Sequence, residues 1–376
     1  MHPPFSFEIE ASDGAARAGR LATPHGTIET PAFMAVATYG AVRGVAPDEL
    51  AAAGAQILLA NTYHLHERPG ETLVADQGGL HGFTGWVGPW LTDSGGYQVT
   101  SLAARARIDE EGVSFASPVD GTRRLLTPER AVEIQEALGS DIAMVLDECI
   151  PSDALDAAGG ARMRAASART QRWAQRALRA HRRRDQLLFA IVHGGTSPAL
   201  RRDSARGLRE LDFPGYAHGG LGLGEDAKQR SELVALVHEE LPTAAPRYLM
   251  GIGRPGDLVR AIALGVDLFD CVLPTRHARH GVLFTSRGLL RLRNARFRSD
   301  PAPPDADCDC TTCARFSRAY LSHLLRAGEA LGARLASIHN LRFYHRLMAE
   351  ARGAIHSGRM AALLASRAQL ENTNAP

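Results

Sequence analysis

The chain has 376 residues, 45% apolar and 22% charged, which is enough apolar surface for a large buried core and excludes a disordered or fibrous polymer. Its formal net charge of +2 does not mark it as a bulk polycation. Lys228 is the only lysine, which excludes a GxxxxGK[ST] phosphate loop and leaves a Schiff-base lysine no candidate but this solvated one. The remaining positive charge is arginine. That residue suits phosphate contacts and base stacking, although arginine-preferring codon use gives the same bias. The opening MHPPFSFEIE has no basic segment leading into an apolar run, and no stretch approaches the ~18 apolar residues of a membrane span. A cytoplasmic chain is expected.

In chain order, short apolar runs suggest strands at 32–36, 56–60, 89–92, 142–146, 187–192, 215–217, 247–250 and 266–269. Helical patterns fall between them, among them 128–138, 161–184 and 231–241. Strands alternating with helices imply a parallel sheet with right-handed crossovers, and eight such units close a (β/α)8 TIM barrel. Polar residues and glycines gather where the runs end: Asn61-Thr62, Asp93-Ser94-Gly95-Gly96, Asp147-Glu148, His193-Gly194-Gly195, Gly219-Gly220 and Asp270. In a barrel that end carries the site. Residues 105–125 read as an inserted β-hairpin with Asp120-Gly121 at its turn. The expected organisation is a barrel over 1–278, a helical zinc-binding subdomain over 279–367 with long helices at 317–331 and 333–352, and a polar, disordered tail over 368–376.

Cys308, Cys310 and Cys313 place three thiols within six residues. A structural zinc site wants four protein ligands, so a histidine is needed from elsewhere. His339 is the choice, with His323 and His345 as competitors. The bland alternative is three free cysteines in a loop. Asp93, Asp147 and Asp270 each follow a strand. A carboxylate pair at a barrel mouth fits retaining glycosyl transfer, with one attacking the anomeric carbon and one handling the leaving group's proton. Any one of them alone reads equally as a helix cap. Gly251-Ile-Gly253-Arg-Pro-Gly256 matches GxGxxG but follows the seventh strand, so it reads as a tight turn and not a dinucleotide site.

The runs LTDSGGYQV (91–99), DIAMVLDEC (141–149), GGLGLGE (219–225), RYLMGIG (247–253), FDCVLPTR (269–276) and LRNARF (292–297), with the CxCxxC cluster and its later histidine, resemble the signature segments of bacterial-type tRNA-guanine transglycosylases. The resemblance spans about 33–348. It implies exchange of the wobble guanine of GUN-anticodon tRNAs for a 7-deazaguanine, chiefly the 7-aminomethyl precursor of queuosine. Asp270 would be the nucleophile that bonds to ribose, and Asp93 the general acid/base. Asp147 would read the purine's amino and ring N–H edge, Tyr97 and Met250 would sandwich the base, the Gly220 amide would donate to its carbonyl, and the Leu221 carbonyl would face the aminomethyl group. Cys308, Cys310, Cys313 and His339 would hold structural Zn2+, and two copies would pair as a homodimer. Arg276 and Arg279 follow the nucleophile strand and either hold flanking anticodon nucleotides or are ordinary surface arginines. The chain departs from the family at His193, where Gln is usual, so a pocket role reshaping base selection is expected there. Leu223 and Cys149 favour the smaller precursor. Phe316 stands where an interface Trp is common, which implies a weaker dimer. The competing readings are an enzyme using queuine itself because of His193, and a non-catalytic RNA-binding partner subunit.

Overall fold

The strands β1 (Ala32–Val36), β2 (Leu58–Ala60), β3 (Trp90–Thr92), β4 (Ile142–Met144), β5 (Leu187–Val192), β6 (Tyr216–His218), β7 (Arg247–Leu249) and β8 (Leu268–Cys271) close into one barrel. Every pairing is parallel, and β8 joins β1 through Leu268↔Ala32 to Cys271↔Ala35. This is a computed structural model, and it describes residues 5–102, 106–150 and 160–370. The strands are short and apolar because helices cover them outside and side chains fill the interior. Met34, Leu59, Leu91, Met144, Phe189, Tyr216, Tyr248 and Leu268 share one core cluster.

The expected strands recur with shifted ends. Val145 and Leu146 are buried but lie past β4, where only Val145 N–H to Phe189 O (3.1 Å) continues the ladder. The eighth strand runs two residues beyond its expected end because Asp270 and Cys271 pair with Met34 and Ala35, so Asp270 lies inside the ladder. The helix expected over 231–241 is Ala227–His238, since the Asp226 carboxylate caps the Gln229 amide and starts it earlier. The helix expected over 317–331 is Arg318–Ala327, stopped by Gly328 at φ +77°. The next helix is longer than expected, Ala330–His356.

The insertion is a three-stranded antiparallel sheet, Arg107–Ile108, Val113–Ala116 and Arg123–Leu126, where a two-stranded hairpin was expected. Asp120-Gly121 does form its turn. Missed altogether was an N-terminal antiparallel sheet, Ser6–Asp13, Ala16–Thr23 and Gly26–Thr30. It closes the barrel floor: Leu21 and Ile28 enter the core, and Arg17 pairs with buried Asp267 at the start of β8. After β8 come the helix Leu273–Arg279, an antiparallel hairpin Val282–Thr285/Gly288–Arg291, and the C-terminal helices. Helix Ala330–His356 ties this part to the barrel, with Asn340 donating to Pro274 O (2.9 Å) and Tyr344 to Gly253 O (2.5 Å). Of the expected tail, residues up to 370 belong to the helix Met360–Leu370, and 371–376 lie outside the described residues. No described helix is long and apolar enough to cross a membrane.

Candidate active site and metal centre

Residues at or just after the ends of β2 to β8 contact one another at the mouth. Asp93 follows β3 and its carboxylate accepts from Asn61 Nδ2 (2.5 Å), Thr62 N (2.8 Å), Gly95 N (3.2 Å) and Gln98 Nε2 (2.7 Å). All four donors are neutral, so they orient the carboxyl without cancelling its charge. Burial raises Asp93 to about 6, against the pull of the Asn61, Thr62 and Gln98 hydrogen bonds, and the negative charge of Asp270 adds to the rise.

Asp270, on β8, accepts from Tyr248 Oη (2.6 Å) and the Gly251 amide (2.7 Å), both at Oδ1. No described residue donates to Oδ2. Burial raises this carboxyl too, opposed by Tyr248 and Gly251. Tyr248 lies within the field of both Asp270 and Asp93, and Asp270 adds to the rise at Asp93, so the carboxylates of β3 and β8 lie near one another.

Asp147 follows β4 and accepts from Ser94 Oγ (3.0 Å) and from His193 Nε2 (2.7 Å). A carboxylate can only accept, so His193 carries its proton on Nε2 here, and a neutral ring leaves Nδ1 as an acceptor toward Gly220. Two glycines make this arrangement fit. A Cβ on Gly96 would lie 2.6 Å from Asp147 O, and one on Gly219 would lie 2.5 Å from His193 Nε2. Cys149 lies beside Gly220 and His193, its thiol pushed up to about 12 by burial and then by the Asp147 charge, so it is an inert lining group. Tyr97 stands 48% exposed on the helix Gly96–Leu102, and Met250 is half-buried at the end of β7.

The loop after β6 is held by Glu225, which accepts from the Gly222 amide (2.5 Å) and the Leu223 amide (3.2 Å) and is itself paired with Arg230 (3.0 Å). A trans peptide with its N–H turned to Glu225 turns its carbonyl, that of Leu221, the other way. Arg276 and Arg279 project from Leu273–Arg279, just after β8, and make no ion pair among the described residues. Arg279 is held down by burial and by the charges of Arg43 and Arg276, so cations cluster beside the mouth.

Sequence reasoning missed Tyr248 and Gln98 and saw Asn61-Thr62 only as a polar strand end. Tyr248 had a signal. It is the polar-tipped residue of an apolar strand that must fill a barrel interior, where a buried hydroxyl needs a partner.

In the segment after β8, Cys308, Cys310, Cys313 and His339 bring one ligand atom each within 4.8 Å of the others. Cys313 Sγ and Cys310 Sγ lie 3.1 and 3.7 Å from His339 Nδ1. His339 Nε2 donates to Phe284 O (2.7 Å), which aims the Nδ1 lone pair at the sulfurs. Of the competing histidines, His323 is exposed and His345 packs its ring edge against Phe33, outside the cluster. The donor set fits a closed metal site with no open position.

The family model described as Queuine tRNA-ribosyltransferase matches residues 12–373. Curated proteins named queuine tRNA-ribosyltransferase are similar over almost their full lengths. The one from Thioalkalivibrio sulfidiphilus is 52% identical over 359 residues, 96% of each chain. One from Thermus thermophilus is 54% identical over 356 residues, 95% of this chain and 91% of its own. The one from Thiobacillus denitrificans is 51% identical, covering 96% and 97%. A pocket of this chemistry at the mouth of a (β/α)8 barrel, matched almost from end to end, means that this chain belongs to the queuine tRNA-ribosyltransferase family.

Proposed function

We propose that the chain is a pentosyltransferase that exchanges the wobble guanine of GUN-anticodon tRNAs for a 7-deazaguanine, chiefly the 7-aminomethyl precursor. The supporting observation is a pair of carboxyls near enough for one to act on the other's charge, each held by neutral donors, with one oxygen of Asp270 left without a donor among the described residues. An anticodon-loop base is splayed out cheaply compared with a base inside a duplex. Asp270 Oδ2 attacks C1′ of the ribose and the glycosidic bond breaks. Asp93, raised to about 6, gives its proton to the departing guanine. Asp93 then takes a proton from the incoming base, whose ring nitrogen attacks C1′ and releases Asp270. Two displacements retain the sugar's configuration.

In this reading Asp147 receives the base's amino and ring N–H edge, Tyr97 and Met250 stack on its faces, the Gly220 amide and Leu221 carbonyl meet its substituents, and Arg276 and Arg279 hold flanking nucleotides. Cys308, Cys310, Cys313 and His339 hold Zn2+ as a structural ion; chelation is then expected to melt this part before chemistry itself is affected. The exposed aromatic face where Phe316 stacks on Tyr320 (5.6 Å) supports pairing of two copies. Work on tRNA places the enzyme in the cytoplasm.

The decisive measurement is exchange of labelled guanine into a GUN-anticodon tRNA, with a denaturation-resistant protein–RNA adduct. Adduct that persists in Asp270→Asn, or no exchange at all, overturns the proposal. A non-catalytic partner subunit is disfavoured because both Asp93 and Asp270 are present. For base choice, relative turnover of guanine, 7-aminomethyl-7-deazaguanine and queuine is compared between wild type and His193→Gln. His193 engages Asp147 directly, so the ratios are expected to shift. Unchanged ratios remove His193 from base selection.

A further inference from the structure

The most deeply buried cation of the mouth has no place in the mechanism above. Arg201, in the first turn of the helix Pro198–Arg209, is 0% exposed and makes no ion pair among the described residues. Its guanidinium is pulled down to about 10 by burial, despite the charge of Glu225 nearby. A buried, unpaired guanidinium is costly, and such a cost is ordinarily met only where the group's donors are needed.

The donors of Arg201 go to two glycine turns. Nε donates to Gly195 O (2.6 Å), after β5, and Nη2 to Gly219 O (3.0 Å), after β6. Nη1 has no partner among the described residues. The path to these carbonyls exists only because residue 194 is glycine: a Cβ there would lie 2.7 Å from Arg201 N and 3.0 Å from its Cγ. In a trans peptide the C=O of one residue and the N–H of the next point to opposite sides. Fixing Gly219 O against Arg201 therefore turns the Gly220 N–H away from it. Gly220 lies against the His193 ring and Cys149, with φ +65°, a left-handed conformation that favours glycine. Among the described residues no hydrogen bond takes up the Gly220 amide.

We infer that Arg201 is a positioning residue for base selection: its fork holds the 219–220 peptide in the one orientation that presents the Gly220 N–H to an acceptor oxygen on the bound base. This rests on the functional reading above. It adds that the preference for an oxo-purine is set through a side chain that never touches the base. The same fork locks the turn carrying His193 to the turn carrying Gly220, so both lining groups move together if it is lost.

The test is direct binding of two free bases, guanine and 6-thioguanine, to the full chain by calorimetry. The bases share the ring N–H and amino groups read by Asp147, and sulfur is the poorer acceptor, so the ratio of their affinities reports the amide contact alone. The wild type should prefer guanine. Arg201→Gln, which keeps one donor but no fork, should lose about tenfold of that preference, the scale expected when a hydrogen bond to a substrate oxygen is no longer presented. Arg201→Lys should lose less. If Arg201→Gln does not fold, Arg201→Lys alone carries the comparison. A lower affinity for both bases with an unchanged ratio overturns the proposal and leaves Arg201 a purely structural staple. A wild type that binds neither base overturns the functional reading instead.

Discussion

The floor and the mouth of the barrel answer the same problem, a buried aspartate, in opposite ways. Asp267 and Asp270 lie three residues apart at the two ends of one strand. At the floor, Asp267 receives a bidentate guanidinium from Arg17 (2.9 and 2.5 Å) and the Arg247 amide (2.7 Å). Asp141, just before β4 at the same end of the barrel, is held below the ordinary range because hydrogen bonds from His81, the Trp90 amide and His25 outweigh burial. At the mouth, Asp270 and Asp93 receive only hydroxyl and amide donors. Burial raises Asp267 too, against Arg17 and the Arg247 amide, but a full counter-charge ties the carboxylate to one partner. Dipoles fix it and leave its charge and basicity available for a substrate.

Replacing an aspartate by asparagine should therefore destabilise one end and stabilise the other. The largest effect is expected for Asp267→Asn, which strands the Arg17 guanidinium in a buried site and should cost about 3–5 kcal/mol in urea unfolding. Base affinity below the melting range should be unchanged. A loss under about 1 kcal/mol would mean that the floor pair is no better compensated than the mouth, and the contrast would fail.

A smaller change of opposite sign is expected for Asp93→Asn. The carboxyl sits at about 6 when folded against an ordinary value of 3.8, so the folded state holds the proton more tightly. Stability is then lost as pH rises through the window from 3.8 to 6, and the ionised group costs on the order of 2–3 kcal/mol above it. Asp93→Asn should recover much of that at pH 7.5, lose the advantage below pH 4, and be inactive in guanine exchange. Urea midpoints across this range check it. A variant less stable than wild type at every pH would show that the Asn61–Thr62–Gln98 donors compensate the charge in full.

What was readable in advance follows the same division. Strand ends of the mouth announce themselves as polar residues closing apolar runs, so Asp93, Asp147, His193 and Asp270 could be picked out by position alone. The four metal-site residues needed the cysteine spacing plus a choice among histidines that spacing leaves open; among the described histidines it is His339 that stands with the three sulfurs. The floor was invisible. Arg17 and Asp267 are 250 residues apart, and nothing local in ASDGAARAGR says that Arg17 points inward while Arg20 does not. Arg201 was hidden for the same reason. In RRDSARGLRE it is one of four arginines at helical spacing, and burial alone separates it from its solvated neighbours. Periodicity gives the barrel, while long-range partners decide which charged side chains belong to its interior.

The gentlest probe is the buried histidine pair between the end of β6 and the helix Ala227–His238. His238 Nδ1 donates to Leu264 O (2.8 Å), which leaves Nε2 to accept from His218 Nε2 (2.9 Å). This chain of donors needs the His238 ring neutral, because a protonated Nε2 could not accept. Burial, followed by the charge of Arg247, pushes His238 down to about 3, and burial with the neighbouring ring pushes His218 well below its ordinary value. A histidine depressed on folding contributes fully above its unfolded value of 6.5 and loses that contribution as pH falls from there toward the folded value of about 3. At pH 7.5 a His238→Gln variant, which keeps a donor for Leu264 O and an acceptor for His218, should unfold within about 1 kcal/mol of wild type. Between pH 6.5 and 4 the wild type should lose up to ~1.4 kcal/mol per pH unit for each proton the pair resists, and the variant should fall less steeply. Parallel curves would mean that the pair opens to solvent before it titrates.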